Sequence, residues 1–142
     1  DYQARISGPL MDRIDLRIEV PAVSASDLIR PGASERSAAV AARVSAARAI
    51  QRERFERLDI AAAINAHCPT ALIDEMALAD NSGLALLRDA SDKLGFSARA
   101  YHRVLKVART LADLDGSERV ARIHLAEAIS YRLAGERLAQ AA

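Results

Sequence analysis

One stretch of this sequence concentrates cations where local energetics disfavour them. Between Ser97 and Ala112 stand Arg99, His102, Arg103, Lys106 and Arg109, with no Asp or Glu among them. On a helix these residues share much of one face. Tyr101, Val104, Leu105, Ala108, Leu111 and Ala112 form the apolar face. Four fixed positive charges over about three turns repel one another by roughly a few tenths of a kcal/mol per pair. Arg99 falls in the first turn, where the positive end of the helix dipole disfavours a cation. A nearby polyanion relieves both costs, because guanidinium groups grip phosphate oxygens through a planar fork. A second reading is a solvent-facing basic surface neutralised by carboxylates of neighbouring helices, such as Asp89, Asp92 or Glu127. Spacing leaves both open.

Other reactive residues are more isolated. Arg13 sits between Asp12 and Asp15 in the run Gly8-Pro9-Leu10-Met11-Asp12-Arg13-Ile14-Asp15. Taken alone, this is a local surface ion pair of little energetic consequence. His67 and His124 have no partners at metal-ligand spacing and read as surface or half-buried side chains. The single Cys68 excludes an intramolecular disulfide and a cysteine zinc site, has no base beside it, and suits a reducing cytoplasm. No GxxxxGK[ST] loop is present, so a nucleotide cannot be fully cradled by these residues.

The elements that must position these groups are mostly helical. About 30 of the 142 residues are alanine and only 4% are aromatic, a composition that favours helices over a sandwich or barrel. A net charge of +1 gives no bulk attraction to DNA or membrane. No apolar run approaches the roughly 18 residues of a membrane span, and the opening residues are charged and polar, so neither a spanning helix nor a secretory signal is expected. Pro9 suits a short helical turn start. Leu16-Arg17-Ile18-Glu19-Val20 alternates apolar and charged residues before Pro21 and is the one good strand candidate. A lone strand leaves its backbone groups unpaired, so its partner is expected in a larger protein.

Residues 24–33 read as a linker. Ser34 is expected to cap a long helix from Glu35 to about Arg57, with Val40, Val44, Ala47 and Phe55 as a thin apolar stripe. Its other face carries Arg36, Arg43, Arg48, Arg52, Arg54 and Arg57 against Glu35, Glu53 and Glu56, and reads as solvated. A short helix is expected from Pro69 to about Ala77. Another runs over Leu84–Leu94, capped by Asn81 or Ser82 and stopped by Gly95. Ser97 opens the basic helix, to about Leu114. Ser117 and Glu118 lead the last helix. The resulting expectation is a mainly α fold, a helical bundle preceded by a short orphan strand or extended segment. The run Leu94-Gly95-Phe96-Ser97-Ala98-Arg99 also resembles the turn of a helix-turn-helix. That alternative places Ser97, Arg99 and Arg103 on DNA. A third reading is a helical adaptor pairing its neighbours through the 34–57 helix.

Two segments together resemble a known family. Arg5-Ile6-Ser7-Gly8-Pro9-Leu10-Met11-Asp12-Arg13-Ile14-Asp15-Leu16-Arg17-Ile18-Glu19-Val20-Pro21 resembles the end of the AAA+ core in magnesium-chelatase-like ATPases. The stretch Ser97–Leu114 resembles a helix of their C-terminal lid. The similarity is greatest to the YifB/ComM-type branch, bacterial proteins linked to natural transformation. The resemblance implies that residues 1–23 end the AAA+ core, 24–33 link, and 34–142 form the helical lid. It also makes 16–20 the last strand of a sheet whose other strands lie upstream.

The resemblance further implies site roles. Arg13 falls at the arginine-finger position, reaching in trans a γ-phosphate held by a neighbouring subunit and stabilising charge in the transition state. Arg99 falls at the sensor-2 position, contacting the γ-phosphate of the subunit's own nucleotide. Arg103, one turn on, supports the same site. The phosphate loop, the Mg²⁺-binding acidic residues and the sensor-1 residue would precede Asp1. The implied parent is a cytoplasmic homo-hexameric ATPase using ATP and Mg²⁺ to act on DNA as a branch-migration or helicase-like motor. The fragment itself is expected to bind no cofactor tightly, to be inactive alone and to have no membrane partner.

Overall fold

A computed structural model describes residues 10, 13–18, 20, 22 and 35–140, with the backbone alone for 134–140. The Pro9 helix start, the Ser34 cap and the 24–33 linker lie outside the described residues. From residue 35 on, the described residues form five α-helices in chain order: α1 (Ser37–Arg57), α2 (Ile73–Ala77), α3 (Asn81–Leu94), α4 (Ala98–Leu114) and α5 (Arg122–Gln140). Two 3-10 turns, Asn65–His67 and Thr70–Leu72, bridge α1 to α2. The mainly α bundle expected from composition is the observed fold. Among the described residues there is no strand beyond the isolated parallel bridge between Ala79 and Val120.

The helix α4 is the axis of the bundle. It packs against α1, α2, α5 and the first 3-10 turn, while α3 leans on α5. Its boundaries follow from local chemistry. Gly95 takes the left-handed conformation (φ 62°) that ends α3. The Ser97 hydroxyl then accepts the Ala100 N–H at 3.1 Å, capping α4 where sequence placed the cap. Arg132 stacks over the Phe96 ring, 5.6 Å from its centroid, tying this turn to α5. The core comprises Phe55, Ile73, Met76, Leu87, Leu105, Val120 and Leu125, each almost wholly buried. Such a side chain contributes about 1.5–3 kcal/mol on burial.

The starts of three helices differ from expectation. The helix α1 begins at Ser37, with Arg36 in the cap position and no side-chain cap, rather than at Glu35. Glu35 instead pairs with Arg43 on the helix surface. Residues 37–46 are all exposed, Val40 and Val44 included, so the apolar stripe is buried only from Ala47 on. The helix α3 starts at Asn81 and its cap is Asp80, not Asn81 or Ser82. The Asp80 carboxylate accepts the Gly83 N–H at 2.6 Å and the Ser82 hydroxyl at 2.9 Å. The helix α5 starts at Arg122, not near Ser117. Val120 is held first by its bridge to Ala79, with the Asp80 N–H donating to its carbonyl at 3.0 Å.

The strand candidate pairs differently from a sheet strand. Residues 14–18 have no regular secondary structure, and Leu16, Ile18 and Val20 are exposed. With no neighbouring strand among the described residues, the Arg17 N–H turns instead to the Tyr131 carbonyl of α5 at 3.1 Å.

Candidate functional site

The basic face of α4 divides into groups with separate environments. Arg99 is exposed, and its guanidinium has no partner among the described residues. Arg103, half-buried, pairs with Asp15 and donates from Nη1 to the Arg13 carbonyl at 2.8 Å. Lys106 donates to the Ala66 and Cys68 carbonyls at 2.9 and 2.8 Å, stapling the loop before α2 onto α4. The carboxylates Asp89, Asp92 and Glu127 pair with none of these three cations.

Arg109 does not belong to this face at all. It is fully buried. Its Nε donates to Asp113 Oδ1 at 3.1 Å, and its terminal nitrogens donate to the Glu118 carbonyl at 2.7 Å and the Ser117 carbonyl at 2.5 Å. Arg54 of α1, also buried, forks onto the same Asp113. Asn65 completes the cluster, donating to Asp113 Oδ2 at 2.8 Å and to Thr110 Oγ1 at 3.0 Å. Arg54 is thereby removed from the solvated face assigned to it by charge patterning. Burial pushes the Arg109 guanidinium below its ordinary range and Arg54 adds to this, while Asp113 opposes both. Sequence held a usable signal: Arg109 lies at helical spacing with Leu105, Ala108 and Ala112, and Arg54 with Ala47, Gln51 and Phe55.

A cavity of about 940 Å³ opens between α4 and the preceding segment. Arg99, His102, Arg103 and Lys106 line one side, and Leu16, Ile18, Val107, Leu111 and Leu114 supply much of the apolar wall. The structure thus brings Arg99 and Arg103 together and places the backbone of Arg13 in contact with Arg103. The exposed Arg13 side chain has no partner among the described residues. Such a wall suits a ligand with an anionic end and an apolar body. Among the described residues no group of three His, Cys, Asp or Glu could hold a metal ion.

Of the three histidines, His102 lines the cavity, while His67, His124 and Cys68 have structural roles or none. His124 is buried. Its Nδ1 accepts the Ala121 N–H at 3.0 Å, so Nε2 carries the proton shared with Asp115, also at 3.0 Å. This is the return half of a capping box at the start of α5. His67 is exposed. Cys68 is buried, and burial pushes its thiol up, away from nucleophilic use. No helix among the described residues is long and apolar enough to cross a membrane.

Comparison with known proteins finds family matches over most of the chain. The family described as magnesium chelatase, subunit ChlI C-terminal, matches residues 34–132, and the one described as magnesium chelatase, subunit ChlI, matches residues 1–28. The chain belongs to the magnesium chelatase ChlI C-terminal family and so to the magnesium-chelatase-like members of the AAA+ family. Competence protein ComM of Haemophilus influenzae is 43% identical over 132 residues, covering 92% of this chain and 25% of that protein. YifB of Escherichia coli is 40% identical over 134 residues, again 92% of this chain and 25% of the relative. YifB of Salmonella typhimurium is 38% identical with the same coverage. The chain therefore spans about a quarter of the length of these relatives.

Proposed function

We propose that this chain is the C-terminal lid portion of a hexameric, cytoplasmic AAA+ ATPase that couples ATP hydrolysis to remodelling of DNA. The observation that carries the reading is Arg99, an exposed first-turn cation with no partner among the described residues, at the edge of the cavity. Its guanidinium would hold a terminal phosphate, and the exposed Arg13 would reach the phosphate bound by a neighbouring subunit. Both are cations aimed where charge develops during phosphoryl transfer. The accompanying Mg²⁺ and the rest of the nucleotide would be held by other parts of a longer polypeptide. DNA as the polymer acted on is supported by the competence function named for the Haemophilus relative. A helix-turn-helix use of α4 is less favoured. Arg103, one of its would-be base contacts, is occupied by Asp15, and much of α4 is packed inside the bundle.

The test is ATP turnover by the full-length polypeptide, with and without DNA. Arg13→Ala and Arg99→Ala should each abolish most turnover while leaving assembly intact, and the 142-residue chain by itself should hydrolyse no ATP. Undiminished turnover in both variants overturns the reading. Salt-dependent DNA binding by the 142-residue chain, lost in Arg99→Ala with Arg103→Ala, would favour the helix-turn-helix instead.

A further inference from the structure

The segment ahead of the bundle is tethered at its backbone. Residues 14–18 have no regular secondary structure, yet the Arg17 N–H donates to the Tyr131 carbonyl at 3.1 Å and the Arg17 guanidinium reaches the Arg132 carbonyl at 3.4 Å. On the other side of the cavity, Arg103 of α4 pairs with Asp15 and donates to the Arg13 carbonyl at 2.8 Å. The Arg103 guanidinium thus grips the chain on both sides of Ile14. It fixes the backbone of Arg13 while the Arg13 side chain stays exposed. An ion pair this accessible adds little to folding. Its geometric effect is larger, because a long side chain loses less freedom on reaching a target when its backbone is already fixed.

We propose that Arg103 and Asp15 form a latch that positions Arg13 for a phosphate on a neighbouring subunit. The proposal rests on the reading of Arg13 given above. Arg103 is here a positioning residue rather than a phosphate ligand. It lies one turn beyond Arg99 on α4, so a shift of α4 when Arg99 takes up a phosphate is passed directly to the Arg13 backbone. The same helix then reads one nucleotide and sets the cation offered elsewhere.

The experiment measures kcat and KM for ATP in the full-length polypeptide, with melting temperature as a control. Asp15→Asn and Arg103→Ala should each lower kcat about ten- to a hundredfold with KM and melting unchanged. The reversed pair, Asp15→Arg with Arg103→Asp, should recover part of the loss. A silent Asp15→Asn beside an Arg103→Ala that raises KM as Arg99→Ala does would make Arg103 a phosphate ligand and overturn the latch. No recovery in a reversed pair that melts like the parent would also overturn it. Arg13→Ala separates the two levels. If it leaves kcat intact, the underlying reading fails. If it abolishes turnover while Asp15→Asn does nothing, the latch alone fails.

Discussion

The guanidinium of Arg54, near the end of α1, meets the carboxylate of Asp113, near the end of α4, inside the bundle and out of contact with water. Asp113 also takes Arg109 from its own helix at 3.0 Å. One anion therefore holds two buried cations and fixes α1 to the helix that carries Arg99. Removing one member of such a cluster leaves a charge without its counterpart, which costs far more than the cluster's net contribution to folding.

Asp113→Asn keeps the shape and removes the charge. It should lower unfolding stability by about 3–5 kcal/mol, read as a shift of the urea midpoint. A shift near zero would mean that the carbonyls of Ser117 and Glu118 suffice to hold Arg109.

Asp80 gives a pH signature. The Gly83 N–H, helped by the Ser82 hydroxyl, holds its carboxyl below the ordinary value of 3.8. A depressed acid stabilises the fold fully above its unfolded value and loses that contribution as pH falls through the folded one. Asp80→Ala should therefore cost about 1 kcal/mol at neutral pH and progressively less as pH falls from the unfolded value through the folded one. Equal losses at both pH values would remove the charged cap from the account.

Leu78 ends α2 with φ 49°, a left-handed conformation that a bulky residue adopts at a cost. Its side chain is 39% exposed and lies outside the main core cluster. Leu78→Gly should stabilise the chain by up to about 1 kcal/mol, seen as a higher thermal midpoint. A lower midpoint would mean that its part in the cleft it lines with Arg88 and Tyr101 outweighs the backbone relief.

Arg99→Ala should leave the folding stability of the 142-residue chain within about 0.5 kcal/mol, as for other exposed sites. In the full-length polypeptide it should lower ATP turnover by about 10²–10³. Loss of stability without loss of turnover would assign Arg99 to the fold instead.

The helix carrying the candidate site was legible because its signals are local. Ser97 caps it, Gly95 clears the preceding turn, and the apolar period continues without a break to Leu114. The start of α5 was not legible, because it depends on Val120 pairing with Ala79, some forty residues earlier. Charge counting also misplaced Arg54 and Arg109. Sequence alone assigns an arginine to water unless its carboxylate is known, and Arg54 finds Asp113 across 59 residues of chain. Of the cations expected on one face, Arg99 and Arg103 do share a cavity wall, but Arg103 already has a protein partner, Asp15.

In the outer half of α1 no residue before Ala47 is buried. Ten helical residues extend about 15 Å, and a helix that short is marginal in water without tertiary support. Among the described residues, the Glu35–Arg43 pair braces these turns. Each residue released from these turns would add about 2 Å of reach. Slack in these turns would lengthen the stretch between α1 and the tethered residues 13–18 without loosening the tether itself.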